Sequence, residues 1–362
     1  MTRVAVDHPA LPARETAVAA GLAQVARIAV TQAAAVQPGE RLLVLTDTGG
    51  DPRLADLLAA EGRAAGAEVV LASFPEVPTI HDIPARIESV IDGSDVVIPV
   101  CRSRILYSDV IKRVSDHGRL LYMADVPTDF FLRPIVLESD YGRLARLAAA
   151  FEDVLSVSGR LEVTTPAGTR ATMQMDAARG LSISSCRAHR RGDHDYLPGG
   201  AWFACPLEET VEGTFVIDSS MEPGVAGGVV DEPVVLQVRA GRVVAVEGGA
   251  QADEFTAWLD SCDDQIRGIA HNGGGFNGSA QRIGNLMEDE RILGSFNIAG
   301  GNNQSGWPGG NSSSSHWDAM MLRATYELDG VRLCEDGRLV HPTLVAAEQG
   351  GAAQAGTEQG TA

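Results

Sequence analysis

The stretch from Gly268 to Leu322 organises this 362-residue chain. It reads GIAHNGGGFNGSAQRIGNLMEDERILGSFNIAGGNNQSGWPGGNSSSSHWDAMML and ends in a His-x-Asp pair, His316 and Asp318. In an extended segment, residues i and i+2 point to the same side, so this imidazole and this carboxylate can face one ion. The apolar residues 319–322 that follow predict a buried strand, or the start of a core helix, that would hold the pair rigidly.

A third ligand is expected from His271, which opens a run of glycines where the backbone can bend and approach closely. Two imidazoles and one carboxylate with open positions form the facial triad of non-haem Fe(II) enzymes. The alternatives are a hydrogen-bonded surface pair at His316 and Asp318 and a simple turn residue at His271. Histidine and carboxylate ligands also accept zinc or manganese, so ligand type alone does not decide the metal.

Four segments of the chain resemble the metal-binding segments of the thermophilic metallo-aminopeptidases. They are Pro198–Ala201, Ala270–Gly273, Gly294–Ala299 and His316–Met320. The peptidases hold two metal ions with glutamates in the first two segments and a histidine in the third. This chain has Ala201, His271 and Asn297 there. Alanine cannot bind a metal, and a side-chain amide is a poor substitute for imidazole.

The residues that remain, His271, His316 and Asp318, match the ligand set of the 2,5-dihydroxypyridine 5,6-dioxygenases, which are similar to these peptidases. This resemblance implies a mononuclear Fe(II) enzyme that opens 2,5-dihydroxypyridine to N-formylmaleamate with O2. It also implies a second histidine that takes the proton of the substrate hydroxyl. His194 has the matching place, and His189 is the competing candidate. A homo-oligomer is expected because the family tends to form them.

Composition excludes several classes of function. The net charge is −19, from 29 basic and 48 acidic side chains, which argues against nucleic acid or an anionic membrane as a partner. We expect no transmembrane helix and no signal peptide. The five cysteines are scattered without a CxxC motif, which is typical of reduced thiols in a cytoplasmic protein.

The expected fold class is α/β, with an N-terminal doubly wound parallel sheet and a β-rich α+β metal-binding domain. Apolar runs at 41–47, 68–74, 95–101 and 119–125 alternate with helical patterns, which predicts parallel strands in a Rossmann-like domain over 1–157. Short alternating strands then predict the second domain over 158–345, which would include the segment 186–205. The tail 346–362 lacks periodicity and is expected to be disordered.

Two further regions hold candidate substrate-binding residues. Ligands of open α/β sheets bind beyond the carboxyl ends of the strands, so the residues after the third strand are candidates: Arg104, Leu106 and Tyr107. The arginine is alternatively a solvated or locally paired residue. The polar loop 300–315 is attached to a metal ligand, which favours a binding loop over disorder. Its candidates are the hydrogen-bonding side chains and a ring that would stack on the substrate: Asn302, Asn303 and Trp307.

Two rivals stand beside the dioxygenase hypothesis. A metallo-aminopeptidase with a reduced metal site would release amino acids from peptides with zinc or cobalt. A non-catalytic binding protein would have kept the fold without the chemistry.

Overall fold

The computed structural model describes residues 13–77, 83–106, 108–225, 228–304 and 307–350. Their α-helices are Ala13–Arg27, Pro52–Ala64, Ala85–Asp92, Asp109–Lys112, Val114–His117, Pro134–Leu137, Tyr141–Leu155, Ala250–Ser261, Leu286–Asp289 and Pro342–Glu348. A π-helical segment, Ile28–Ala33, continues the first helix, and the 3-10 turns are Thr128–Leu132, Ala177–Arg179, Glu208–Thr210 and Asp264–Arg267.

The strands are numbered in chain order. They are β1 Arg41–Asp47, β2 Glu68–Phe74, β3 Val96–Pro99, β4 Arg119–Tyr122, β5 Gly159–Thr164, β6 Arg170–Met175, β7 Leu181–Ser184, β8 His194–Tyr196, β9 Ala201–Ala204, β10 Glu212–Ile217, β11 Ser220–Glu222, β12 Val234–Arg239, β13 Arg242–Glu247, β14 Ile269–Gly275, β15 Phe296–Gly301, β16 His316–Met321, β17 Thr325–Leu328, β18 Val331–Glu335 and β19 Arg338–Leu339.

The chain divides into two compact units. The described residues up to Leu137, together with Arg187–Leu197, form unit 1, and the remaining described residues form unit 2. The expected boundary at residue 157 differs from this division, because the helix Tyr141–Leu155 belongs to unit 2. The assignment of domains as independent folding blocks remains a prediction.

Unit 1 is built on a five-stranded parallel sheet in the order β2-β1-β3-β4-β8. Six of the seven residues of β1 are buried, as its continuous apolar run predicts for a strand covered on both faces. The helix after β1 begins with an N-cap, since the Asp51 side chain accepts a hydrogen bond from the Arg53 amide.

Unit 2 contains two antiparallel sheets. The eight-stranded sheet has the order β13-β12-β10-β6-β5-β17-β18-β19, and the six-stranded sheet has the order β11-β16-β15-β14-β9-β7. The Asp329-Gly330 turn joins β17 to β18, as predicted, with both residues at positive φ. The expected α/β class, with a parallel sheet followed by a β-rich region, is confirmed.

The two faces of the six-stranded sheet have different roles because side chains alternate along each strand. Trp202, Gly274 and Phe296 are paired across β9, β14 and β15 and lie on the core face, where the rings of Trp202 and Phe296 pack edge to face. Residues an odd number of positions away in each strand lie on the opposite face, and these include His271, which is three residues before Gly274. This opposite face is called the site face below.

Two expectations about chain segments are wrong. The segment 186–205 was placed wholly in the β-rich region, but β8 pairs in parallel with β4 and extends the sheet of unit 1. The expected start of the disordered tail at residue 346 is too early, because residues 346–348 belong to the helix Pro342–Glu348. His341 caps this helix through its ring, which accepts a hydrogen bond from the Thr343 amide. Residues 351–362 lie outside the described residues.

No helix in the described ranges combines the length and the apolar composition needed to cross a membrane.

Candidate metal centre

Three neighbouring strands bring the predicted metal ligands together. His271 lies on β14, Ala299 is opposite it on β15, and Asp318 is opposite Ala299 on β16. Because residues paired across strands point to the same face, His271 and Asp318 meet above the small side chain of Ala299. His316 lies two residues before Asp318 on the same strand and shares its face. The His-x-Asp segment is therefore a strand, and the expected convergence of the three residues is present.

The three side chains form a compact triangle in which each histidine nitrogen faces a different carboxylate oxygen of Asp318. His271 Nε2 lies 3.2 Å from His316 Nε2 and 3.4 Å from Asp318 Oδ1, and His316 Nε2 lies 3.3 Å from Asp318 Oδ2. Among the histidine, cysteine and acidic side chains of the described residues, His271, His316 and Asp318 form a cluster whose atoms are close enough to hold one ion. His271 and Asp318 are 9% and 8% exposed, whereas the His316 side chain is 29% exposed, so the group is buried on one side and open to solvent at His316.

The spacing of this triangle fits a bound transition metal. Ligand atoms about 2.1 Å from an ion lie about 3.0 Å apart in octahedral geometry and about 3.4 Å apart in tetrahedral geometry. The chemistry of the donors also fits, because imidazole nitrogen and carboxylate oxygen bind iron, zinc and manganese. The residues present are therefore a suitable set of ligands for one ion.

The electrostatics of the centre favour positive charge. Burial lowers the pKa of His271 to about 4, so this ring is neutral near pH 7. Burial would raise the pKa of Asp318, but the two imidazoles outweigh that effect and hold it at about 2. Burial opposes charge on His316, but the attraction of Asp318 outweighs it and raises the pKa of His316. An ionised carboxylate thus draws a proton into the centre, where a metal ion would replace that proton.

Two asparagines orient the ligands from behind. His316 Nδ1 donates a hydrogen bond to the Asn302 backbone carbonyl at 2.8 Å, which leaves Nε2 of the neutral ring free for a metal. Asn297 lies two residues before Ala299 on β15, and its Nδ2 donates to Asp318 Oδ1 at 3.0 Å. The side chain that takes the place of a peptidase histidine therefore contacts a ligand.

A family model matches most of the chain. The family model described as NicX, 2,5-dihydroxypyridine 5,6-dioxygenase, matches residues 24–341. This chain belongs to the 2,5-dihydroxypyridine 5,6-dioxygenase family. Its curated relative of that name from Pseudomonas putida KT2440 is 24% identical over 263 residues, which cover 70% of this chain and 73% of the relative.

Two solved structures share the fold of this family member. The 2,5-dihydroxypyridine dioxygenase of Pseudomonas putida KT2440 has a TM-score of 0.78 at 20% identity and covers 90% of this chain and 99% of its own. The wild-type AmpT of Thermus thermophilus has a TM-score of 0.64 at 14% identity and covers 89% and 99%. The expected relation to both folds is confirmed.

The predicted binding loop of this dioxygenase-family chain is fastened to the protein. Asn303, which is 1% exposed, donates through Nδ2 to Glu208 and to the Ala270 carbonyl, and its Oδ1 accepts from the Asn311 amide. Asp263 accepts hydrogen bonds from Ser313 and Ser314. The contacts of Asn303 anchor the loop, and its substrate contact remains a prediction.

The other two loop candidates have different surroundings. The Asn302 side chain donates to the Ser313 carbonyl at 2.9 Å, which closes the loop on itself. Trp307 lies with its ring centroid 6.2 Å from that of His271, at an interplanar angle of 40°. Trp307 is therefore the loop candidate whose ring lies beside a metal ligand.

Sequence reasoning missed Glu290, a carboxylate that acts electrostatically on the centre. Burial and the negative charge of Asp318 raise the pKa of Glu290 to about 8, although Arg291 donates a hydrogen bond to it at 2.7 Å. Its neighbours Glu288 and Asp289 are fully buried and accept hydrogen bonds from backbone amides. The charged run 288–291 inside a glycine-rich stretch was the available signal.

The two histidines predicted as proton acceptors belong to unit 1. His194 is exposed and stacks on Tyr196, and the surrounding protein lowers its pKa despite the attraction of Asp195. His189 uses both ring nitrogens: Nε2 donates to the Gln32 carbonyl at 2.7 Å, and Nδ1 accepts from Arg187 at 3.3 Å.

The remaining candidates after β3 also belong to unit 1. Arg104 forms an ion pair with Asp125, a residue at positive φ just beyond β4, so the expected alternative of a locally paired arginine holds for its guanidinium. Leu106 packs partly buried against the apolar core of unit 1. Tyr107 lies outside the described residues. Substrate contacts from these residues remain predictions.

Proposed function

We propose that this protein is a non-haem Fe(II) dioxygenase that opens a hydroxylated pyridine ring, with 2,5-dihydroxypyridine as the substrate. The observation that carries the proposal is the triangle of His271, His316 and Asp318 in a chain of this family. Both atoms of O2 enter between C5 and C6, and the product is N-formylmaleamate. The extradiol-like character of the cleavage is part of the proposal.

Three side chains would hold the iron, and the number of these ligands determines how many coordination positions stay open for substrate and O2. Two imidazole nitrogens and one carboxylate oxygen leave about three positions of an octahedral ion open. The bound metal supplies a common site for substrate and O2 and a path for electron density between them, so no organic cofactor is required. Asn302 and Asn297 keep His316 and Asp318 oriented toward the ion.

We propose His194 as the acceptor of the substrate hydroxyl proton. A general base must be unprotonated at the working pH, and an imidazole, whose ordinary pKa is near 6.5, meets that requirement at and above pH 7. The occupied ring nitrogens of His189 favour His194 over His189 for this role. Replacement of His194 by Gln should lower kcat while the metal content of the protein stays the same.

The deciding experiment loads the protein anaerobically with Fe(II) and then adds 2,5-dihydroxypyridine and O2. Uptake of one O2 per ring, loss of the pyridine absorbance and the N-formylmaleamate mass in the product support the proposal. His316→Ala serves as the metal-site control and should consume no O2.

The same protein preparation tests the rival activity. Incubation of the zinc- and cobalt-loaded forms with short peptides should release no amino acids, because Ala201 and Asn297 stand where the resembled peptidases have ligands. Peptide cleavage without O2 uptake would overturn the dioxygenase proposal. Absence of both activities would leave only a binding role for the fold.

A further inference from the structure

Phe203 is an aromatic residue on the site face, and it is neither one of the three metal ligands nor a proposed proton acceptor. It lies on β9 directly opposite Gly273, which is two residues after His271 on β14. Paired residues share a face, so Phe203 is on the same side of the sheet as the metal ligands. Its neighbours Trp202 and Ala204 point to the core face and are buried, whereas Phe203 stays partly exposed.

The ring of Phe203 stands beside a metal ligand. Its centroid lies 5.6 Å from that of His271, and the two planes are nearly perpendicular at 84°. A Cβ at Gly273 would lie 2.5 Å from the Trp202 carbonyl oxygen and 2.7 Å from Phe203 Cδ1, so glycine makes room for both the backbone of β9 and this ring. Strand β14 therefore has no side chain at Gly273, the position over which the Phe203 ring lies.

A second aromatic ring lies near the same imidazole. Trp307, from the loop after β15, has its centroid 6.2 Å from that of His271. Two partly exposed aromatic rings beside a polar centre suit a flat ligand, since aromatic pairs prefer offset or edge-to-face contact at centroid distances of about 4.5–7 Å. Small aliphatic metal ligands would gain nothing from such neighbours.

We propose that Phe203 is a specificity-determining residue that selects flat aromatic ligands at the metal centre through direct ring contact. The inference rests on the proposed function for its natural substrate. The property that Phe203 would control is separate from ring opening: it is whether the metal centre binds aromatic oxygen donors more tightly than aliphatic ones. Phe203 thus acts on substrate binding and leaves the metal ligands untouched.

The test compares Phe203→Leu, which keeps an apolar side chain and removes the ring, with Phe203→Tyr, which keeps the ring. Each variant is loaded with Fe(II) without oxygen and titrated with 2,5-dihydroxypyridine, catechol and glycolate. Phe203→Leu should weaken binding of the two aromatic ligands by about threefold to tenfold. Glycolate affinity and Fe(II) affinity should change less than about twofold, and Phe203→Tyr should stay within about twofold throughout.

Each outcome decides the inference. Unchanged affinity for the aromatic ligands in Phe203→Leu, or an equal loss for glycolate, would overturn it. A protein that fails to consume O2 with 2,5-dihydroxypyridine, yet binds catechol in a manner that depends on the Phe203 ring, would refute the proposed function and support this inference. Circular dichroism spectra of the three proteins check that the sheet is intact.

Discussion

Two buried aspartates, one in each unit, differ in the groups that surround their carboxylate oxygens. Asp47 at the end of β1 is 3% exposed, and its oxygens accept hydrogen bonds from the amides of Gly49, Arg102 and Ser103 and from the Ser103 hydroxyl. Asp318 on β16 is 8% exposed and receives one amide hydrogen bond, from Asn297. It also lies beside two imidazoles that can themselves bind a metal.

The comparison separates a carboxylate with structural partners from one that we propose to bind a metal. The partners of Asp47 are donors, which satisfy the charge and fasten the loop after β3 to the end of β1. The histidine partners of Asp318 become acceptors when they lose a proton, so the three side chains together can bind a cation. Burial alone does not distinguish the two residues, and the chemical nature of the partners does.

The largest expected effect is on metal binding when Asp318 is replaced. Asp318→Ala removes one of three ligands, so affinity for Fe(II) should fall by more than about 100-fold, since loss of even an outer partner of a ligand costs about 10–100-fold. Anaerobic calorimetric titration of the metal-free protein measures this change. Affinity within tenfold of the parent protein would mean that the ion binds elsewhere.

Replacement of Asp47 should change stability and leave the metal centre intact. Asp47→Ala leaves buried amides without acceptors and should lower the free energy of unfolding by about 2–4 kcal/mol. Urea unfolding followed by far-ultraviolet circular dichroism gives the stability, and metal analysis should still find one ion per chain. Loss of the ion in a folded Asp47→Ala protein would contradict the structural role.

A smaller effect is expected from Asn297, which contacts Asp318 without being one of the three ligands. Asn297→Leu keeps the approximate shape and removes the hydrogen bond, so the Kd for the metal should rise by about 10–100-fold. Asn272→Leu is the matched control, because Asn272 is a buried asparagine on the core face of the adjacent strand β14. Equal effects of the two substitutions would show that Asn297 has no specific influence on the ligand.

The smallest effect concerns the ion pair of Glu40 with Arg119 in unit 1, whose atoms lie 2.7 Å and 2.6 Å apart. Burial opposes ionisation of Glu40, but the hydrogen bonds from Arg119 outweigh it and lower the pKa. A lowered carboxyl pKa stabilises the fold above the ordinary value near 4.5, and this contribution is lost as pH falls through the folded pKa.

Glu40→Gln should therefore be less stable than the parent protein at pH 6, by about 1 kcal/mol at most, because Glu40 is partly exposed. The difference should shrink as the pH approaches 3. Urea midpoints of both proteins at the two pH values measure it. A difference that is the same at both values would exclude Glu40 as the titrating group.

The parts of the fold that depend on local apolar pattern could be predicted from the sequence. The bounds of β1 and β2 coincide with the predicted apolar runs, and the Asp329-Gly330 turn lies where its chemistry requires. The convergence of His271, His316 and Asp318 could be predicted because a His-x-Asp spacing and a glycine-rich histidine segment each carry a chemical meaning, and their role as metal ligands remains a prediction. Long-range strand pairing could not be read from such patterns.

The features of the folded chain that the sequence did not predict have this common cause. His194 lies in a three-residue strand whose place in the parallel sheet depends on pairing with β4, and nothing local in its sequence predicts that partner. Asn303 was chosen for its hydrogen-bonding groups, and only the folded chain reveals that Glu208 and Asn311 already occupy them. Glu290 was missed because its influence on Asp318 acts through space between different segments.

The most direct test of the account is a crystal structure of the Fe(II)-loaded protein with anomalous diffraction measured at the iron edge. The account predicts one ion per chain, with His271 Nε2, His316 Nε2 and one oxygen of Asp318 each at about 2.0–2.2 Å. An ion bound away from these three side chains, or two ions bridged by acidic groups, would contradict it.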